Sequence, residues 1–150
     1  MNNILMTPQE VIDIAFAANS NMKAESINEH IIHIAEAKYI RPAIGAALYD
    51  KLGEYTDLAE MLKPALAYFV KCEIIPSIAI NLGNAGLAIS NPQYMTAATD
   101  KQRTLLYESE MSKANTLLNE VLEYLTTSNA YPEFKGVKSV VKHRFAGVII

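Results

Sequence analysis

The sequence has a single cysteine and few charged residues, and both shortages limit what the chain can be. Cys72 has no partner for a disulfide within the chain, which excludes a secreted disulfide scaffold and a zinc site made of several cysteines. An intracellular, reducing environment fits this cysteine usage. Charged residues make up 19% of the chain and hydrophobic residues 51%, whereas an ordinary soluble domain is roughly 25% charged. We therefore expect part of the apolar surface to face other subunits.

The sequence also lacks the motifs of nucleotide-binding and hydrolytic enzymes. It contains no glycine-rich phosphate loop, nucleophile elbow or dinucleotide fingerprint, because residues 83–86 (Gly-Asn-Ala-Gly) have neither the spacing nor a preceding strand. Cys72 lies in an apolar stretch, where a thiol usually acts as a small core residue. We expect no catalytic residue, no cofactor and no metal.

Neither export nor a membrane span is indicated. Residues 1–6 lack the basic flank and the apolar run of a signal peptide. Residues 64–82 approach the length of a membrane span, but Lys71 and Glu73 interrupt them, and charges near the centre of a bilayer are costly. This stretch is interpreted as a buried core helix, and no membrane partner is expected.

Helix signals at the N-terminal end predict two helices. Thr7 and Glu10 fit a capping box around Pro8, and the first helix is expected to end near Ala18. Ser26 opens a second capping box, whose helix should reach about residue 40. Pro42 disfavours helical geometry in the residue before it, so residues 43–52 are expected to form a separate helix or a sharply bent continuation.

A fourth helix is expected to begin at Thr56 or Asp57 and to continue towards residue 82. Pro64 and Pro76 should break or kink it, because an interior proline removes one backbone hydrogen bond. Residues 83–92 contain glycine, asparagine and proline in a pattern that predicts a flexible loop.

The last helix has the clearest pattern. It is expected to begin near Thr96 or Thr99 and to end near Thr127, about 30 residues and about 45 Å at 1.5 Å per residue. That length is too great for one small core to cover. Its apolar stripe recurs at alternating spacings of four and three residues: Tyr107, Met111, Ala114, Leu118, Val121 and Leu125.

The C-terminal segment, residues 135–150, differs from the rest of the chain. β-Branched residues and two glycines predict extended chain or a short β-strand, and a lone strand favours pairing with another molecule. The segment has four cations and no acid, so residues 1–134 hold nine cations against 16 acids. We therefore divide the chain into a helical domain, 1–134, and an extended basic tail, 135–150. The four cations are Lys135, Lys138, Lys142 and Arg144.

Two groups of polar residues permit more than one interpretation. Potential metal ligands at one-turn spacing are Glu29, His30, His33 and Glu36. The zinc protease pattern needs two histidines four residues apart, so we favour a helix-surface or interface role for both histidines over a zinc enzyme. Lys71 and Glu73 are either a functional charge pair or, more simply, part of a solvated stripe or charges at a subunit interface.

Three segments together resemble the small helical head-to-tail connector (adaptor) proteins of tailed bacteriophages. The first is the turn Tyr-Ile-Arg-Pro-Ala-Ile-Gly at residues 39–45, with the residues up to 52 that follow it. The second is Lys-Pro-Ala-Leu-Ala-Tyr-Phe at residues 63–69, leading into Ile-Ile-Pro at 74–76. The third is Tyr-Pro-Glu-Phe at residues 131–134, after the long helix. The resemblance spans most of residues 6–135.

The helix patterns predict an all-α helical bundle with one long C-terminal helix, and the resemblance implies no catalytic residues. Its subunits would form a ring, commonly twelvefold, that docks beneath the portal protein and extends the DNA channel towards the tail. The implied partners are further copies of the chain, the portal, other neck or tail proteins and, non-specifically, the channel DNA. The implied location is the virion neck, after synthesis in the host cytoplasm. The tail at 135–150 departs from the shorter ending expected of these proteins.

Ring formation requires lateral interfaces, which we place on the second helix, the turn and the tail. The rival interpretation is a small helical regulatory or binding module that uses the same apolar faces. The proposed interface residues are Ile31, Ile32, Tyr39, Arg41, Pro42, Tyr49, Lys138, Lys142, Arg144, Phe145, Val148 and Ile149.

Overall fold

The fold is that of a computed structural model, which describes residues 5–17, 20, 22–84 and 92–136. In these residues all regular structure is helical and there is no strand, so the predicted all-α bundle with a long C-terminal helix is confirmed. The predicted strand of the tail lies at 137–150, outside the described residues. The α-helices are α1 (Pro8–Ala15), α2 (Glu29–Ala35), α3 (Arg41–Ile44), α4 (Ala46–Asp50), α5 (Thr56–Asn84) and α6 (Pro92–Thr127).

Helix α1 begins at the predicted capping box. The Thr7 hydroxyl accepts from the Glu10 backbone N–H at 3.2 Å, and the Glu10 carboxylate accepts from the Thr7 N–H at 3.0 Å. The helix ends at Ala15, three residues before the expected position, because Phe16 takes extended geometry (φ −114°, ψ 146°). Its ring then lies beneath the ammonium of Lys71, 4.8 Å from the ring centroid.

Helix α2 begins two residues later than predicted. Asn28 is its N-cap and accepts from the His30 N–H at 2.8 Å, whereas Ser26 belongs to a 3₁₀ turn, Ala24–Ser26. Asparagine caps a helix at least as well as serine. The capping box assigned to Ser26 was therefore wrong.

The predicted break at Pro42 was also misplaced. A π-helical turn, Glu36–Ile40, continues α2 into α3, and the Arg41 N–H bonds the Glu36 carbonyl five residues back. Pro42 has no N–H to donate. The wider turn accommodates it, because the backbone hydrogen bonds beside it already reach five residues back and not four. The chain leaves helical geometry at Gly45 instead (φ +92°, ψ 148°), and α4 follows directly.

Pro64 and Pro76 both lie inside α5, which is one helix and not two, so the expected break was wrong. An interior proline costs about 3 kcal/mol or more, but burying a single leucine contributes about 1.5–3 kcal/mol. Because α5 is buried on several sides, its packing outweighs that cost. Its fully buried large side chains include Leu58, Leu62, Leu66, Phe69 and Ile75.

Helix α5 lies at the centre, with α1, α2 and α6 packed on it. Helices α5 and α6 run antiparallel. Tyr131, which follows α6, contacts Tyr55, which precedes α5 (ring centroids 5.0 Å apart). Further along the pair, Lys113 of α6 lies over Tyr68 of α5. The predicted buried core helix at residues 64–82 is thus confirmed as far as side chains are described, to Pro76. Within the described part of the chain, no helix is long and apolar enough to cross a bilayer.

Helix α6 ends at Thr127, as predicted, but begins at Pro92, several residues before the expected start. Pro92 was itself a helix-start signal, because proline is favoured in the first turn of a helix. The prediction relied on the apolar stripe, which begins later in the chain. The stripe is buried at Ala114, Leu118, Val121 and Leu125 but not at Tyr107, which is 37% exposed. The predicted loop falls largely on residues 85–91, outside the described part.

Candidate functional site

A buried ion pair joins three helices at one end of the core. Lys71 on α5 pairs with Glu110 on α6, donates to the Ala15 carbonyl of α1 at 2.8 Å, and contacts the Phe16 ring. Lys113 lies 2.9 Å from the second carboxylate oxygen of Glu110. Burial alone would raise the pKa of Glu110, but the hydrogen bonds and charges of the two lysines outweigh it and hold the pKa below its usual value. The carboxylate is therefore a structural tie between helices.

Glu73, two residues further along α5, connects this helix to the π-helical turn. It accepts from the Tyr39 hydroxyl at 2.7 Å and from the Lys38 ammonium at 3.0 Å. The Tyr39 ring stacks on Phe69, with centroids 4.2 Å apart and planes 7° from parallel. Lys71 and Glu73 thus bind separate partners on other elements. They form neither a pair with each other nor a solvated stripe, which corrects those two interpretations, and the subunit-interface alternative stays a prediction.

Glu36 is the most unusual ionisable group among the described residues, because it is fully buried without a cation in contact. Its two carboxylate oxygens accept from the Tyr49 hydroxyl at 2.6 Å and from the Leu5 N–H at 2.7 Å. Burial raises the pKa of Glu36, although these two hydrogen bonds and the charge of His33 oppose the rise. The carboxyl holds the segment before α1 against the turn between α2 and α4.

The possible metal cluster on α2 is not assembled. Glu29 and His30 are exposed, as is His33, while Glu36 lies inside the core. Among the residues that the structure describes, no group of three potential ligands could hold a metal ion. The helix-surface position favoured for both histidines is confirmed.

Cys72 lies in the core, as predicted, with 1% of its surface exposed. Its sulfur is 4.0 Å from the Tyr107 carbonyl oxygen. Burial, with smaller contributions from Glu110 and Glu73, raises the pKa of the thiol to about 12. At neutral pH the thiol is therefore protonated and shielded, which is unfavourable for a nucleophile.

The proposed interface residues fall into three groups. Ile32, Tyr39 and Tyr49 are buried within the single chain, because α2, the π-helical turn and α4 direct them into the core. In this fold they pack inside the single chain and offer little surface to a neighbour, so their interface role stays a prediction. Those with surface access are Ile31, Arg41 and Pro42. Those outside the described residues are Lys138, Lys142, Arg144, Phe145, Val148 and Ile149.

An apolar surface on α6 was missed by sequence reasoning. Leu105 is 57% exposed, Leu106 41% and Tyr107 37%, and none of the side chains at 101–109 is buried. Neighbouring residues on a helix are about 100° apart, so three consecutive apolar residues cannot all face one core. Three consecutive apolar residues at 105–107 could therefore have predicted an exposed apolar surface. We call residues 105–107 the α6 apolar patch.

The described part of the molecule is thus a small all-helical domain whose buried charges serve as ties between its helices. Residues 22–144, which are 123 of the 150 residues, match a protein family characterised only as a family of unknown function, DUF6712, and the chain belongs to that family. The match includes every helix from α2 to α6. No curated protein and no solved structure matches the chain.

Proposed function

We propose that this protein is a structural subunit of the head-to-tail connector of a tailed bacteriophage. In this proposal, copies of the chain form a ring beneath the portal and extend the DNA channel towards the tail. The protein acts through contacts with other proteins in the virion neck and performs no chemistry of its own.

The three segments that carry the resemblance lie at packing positions, which supports the proposal. Tyr39 of the first segment stacks on Phe69 of the second. Tyr131 of the third packs edge-on against Tyr55, next to the start of α5. These contacts make the three segments part of a helical scaffold, which is what a connector subunit would contribute.

The observation that carries the proposal furthest is the α6 apolar patch. Residues 101–109 lie on the 36-residue helix α6 and precede Glu110. Glu110 is the first buried residue of that helix among the side chains that are described. Two neighbouring leucines exposed on one helix favour a surface for another protein, because exposed apolar area is where partners bind. A patch that meets a different surface on the next copy forms a heterologous contact, and such contacts close into rings.

Sedimentation of the purified protein, alone and with the portal protein of the same genome, tests this function. We expect either a closed oligomer in both samples or one that forms only with the portal, and negative-stain images should show a ring. A chain that remains a monomer or dimer in both samples would contradict the connector and would fit a small regulatory module instead. Stoichiometric zinc that is lost in His33→Ala would contradict both.

A further inference from the structure

A shallow groove runs along the outer side of the α5/α6 pair. Tyr68 on α5 lines it together with Lys113, Thr116 and Leu117 of α6, and the Lys113 ammonium lies 5.8 Å from the centre of the Tyr68 ring. The groove is open to solvent, so its apolar side chains are not covered by the described part of the chain.

Helical periodicity extends the groove towards the start of α5. Met61 lies seven residues before Tyr68, and Tyr124 lies seven residues after Leu117, so each pair shares a face two turns apart. The antiparallel register that pairs Tyr68 with Lys113 brings Met61 level with Glu120 and places Tyr124 one turn further along α6. Met61 is 36% exposed and Tyr124 40%. We call the surface formed by Met61, Tyr68, Leu117 and Tyr124 the outer groove.

Two carboxylates border this groove. Asp57 lies one turn before Met61 on α5, and Glu120 lies between Leu117 and Tyr124 on the same face of α6. Both are exposed, and neither forms an ion pair with another residue of the described ranges. The half of the outer groove near Met61 is therefore apolar with an acidic border.

The chain itself contains a segment of the opposite character. Residues 137–150 contain Lys138, Lys142 and Arg144 and no acid, with Val140, Val141 and Phe145 among the apolar residues. The described chain ends at Gly136, beside Leu125 and Ser128 at the C-terminal end of α6. Fourteen residues span up to about 46 Å when extended. From Tyr124 to Lys113 the groove runs about 17 Å along α6, so the segment is long enough to cover it.

We propose that residues 137–150 dock in the outer groove of their own chain. Basic side chains pair with Asp57 and Glu120, and apolar side chains cover Met61, Leu117 and the tyrosine rings. A tethered segment has an effective concentration of about millimolar for a site within its reach. That exceeds the concentration of any second copy in dilute solution, which is why the occupant is the chain's own tail. This inference concerns the free chain and does not require the connector function.

Photo-crosslinking of the full-length protein locates the tail directly. Phe145 is replaced by p-benzoylphenylalanine, and a mixture of ¹⁴N- and ¹⁵N-labelled chains is irradiated and digested. We expect crosslinks to peptides containing Met61, Tyr68, Leu117 or Tyr124, with both halves carrying the same isotope. Crosslinked peptides of mixed isotopes would assign the groove to a second copy and overturn the proposal. Crosslinks confined to other surfaces, or none, would overturn it as well.

Hydrogen exchange measures the charge contribution in the same full-length protein. The double variant Asp57→Asn/Glu120→Gln should speed exchange in residues 137–150 about fivefold, since exposed ion pairs contribute little individually. The matched control Glu25→Gln/Glu29→Gln removes two exposed acids far along the chain from the groove and should leave that exchange unchanged. Exchange of residues 137–150 at the rate of an unstructured peptide in the unmodified protein would overturn the proposal.

Discussion

The Tyr49 hydroxyl donates a hydrogen bond to Glu36 Oε1 at 2.6 Å, across the bend that Gly45 makes between α3 and α4. Glu36 Oε2 accepts from the Leu5 N–H, so one buried carboxyl joins the segment before α1, the π-helical turn and α4. Because the Glu36 side chain is fully buried, the two donors are its main compensation for the loss of water. The turn that carries the connector resemblance is thus held by a polar contact inside the core.

Removing the hydroxyl should destabilise the fold. In Tyr49→Phe one oxygen of Glu36 loses its partner, and an unsatisfied buried polar group costs about 1–3 kcal/mol. Urea denaturation of the two proteins measures the difference in free energy of unfolding. Tyr68→Phe is the control, because its ring keeps the contact with Lys113. If both variants lost the same free energy of unfolding, the hydrogen bond from Tyr49 to Glu36 would contribute no more than an exposed hydroxyl does.

The pH dependence of stability should identify Glu36 through its sign. Burial raises its pKa above 4.5, so the folded chain binds this proton more tightly than the unfolded chain does. The resulting stability is fully present below pH 4.5 and is lost as pH rises through the raised pKa. The unfolding free energy of the unmodified protein relative to Glu36→Gln should therefore fall with rising pH above 4.5. A difference that stays constant or rises would contradict the assignment.

Local signals in the sequence predicted the helices well where a residue acts on its immediate neighbours. The capping box at Thr7 and the end of α6 at Thr127 are of this kind, although the similar signal at Ser26 was wrong. Signals that depend on packing were misjudged. Pro64 and Pro76 break helices in isolation, yet α5 continues because its buried faces outweigh two lost hydrogen bonds.

The candidate site depended more strongly on tertiary contacts. Nothing in the spacing of Lys71 and Glu73 indicates that one reaches α6 and the other the π-helical turn. Glu36 has no local pattern that predicts its burial, because no short sequence motif indicates the π-helical turn that directs it into the core. The α6 apolar patch, in contrast, could have been found from three consecutive apolar residues.

The buried ion pair should respond to pH in the opposite sense from Glu36. Glu110 has a lowered pKa, so its stabilisation is present above pH 4.5 and is lost as pH falls through the lowered value. At neutral pH, Glu110→Gln leaves Lys71 without its charge partner and should cost about 3 kcal/mol. Glu108→Gln, an exposed neighbour on the same helix, should change stability by less than about 0.5 kcal/mol. Matching losses in the two variants would rule out a special role for Glu110.

Any side chain at Gly45 should destabilise the bend. A Cβ at this position would meet no atom within 4 Å, so the penalty of Gly45→Ala comes from its φ of +92° alone. Such geometry costs a non-glycine residue about 1–3 kcal/mol. Gly53→Ala is a matched control, because a Cβ at Gly53 would also meet no atom within 4 Å and Gly53 has no positive φ. Thermal denaturation should separate the two variants, and a Gly45→Ala protein as stable as Gly53→Ala would contradict the strain argument.

The α6 apolar patch should govern assembly without supporting the fold of the single chain. In Leu105→Asp/Leu106→Asp both changes replace exposed side chains, so the free energy of unfolding should change by less than about 1 kcal/mol. Burying two carboxylates in a subunit contact is costly, so ring formation or portal-dependent assembly should weaken by at least about tenfold in sedimentation. Ser109→Asp/Asn119→Asp adds the same charge on exposed positions of the same helix and serves as the control. Assembly weakened equally by both pairs would point to charge repulsion along the whole helix, and assembly unaffected by the leucine pair would remove the patch from the interface.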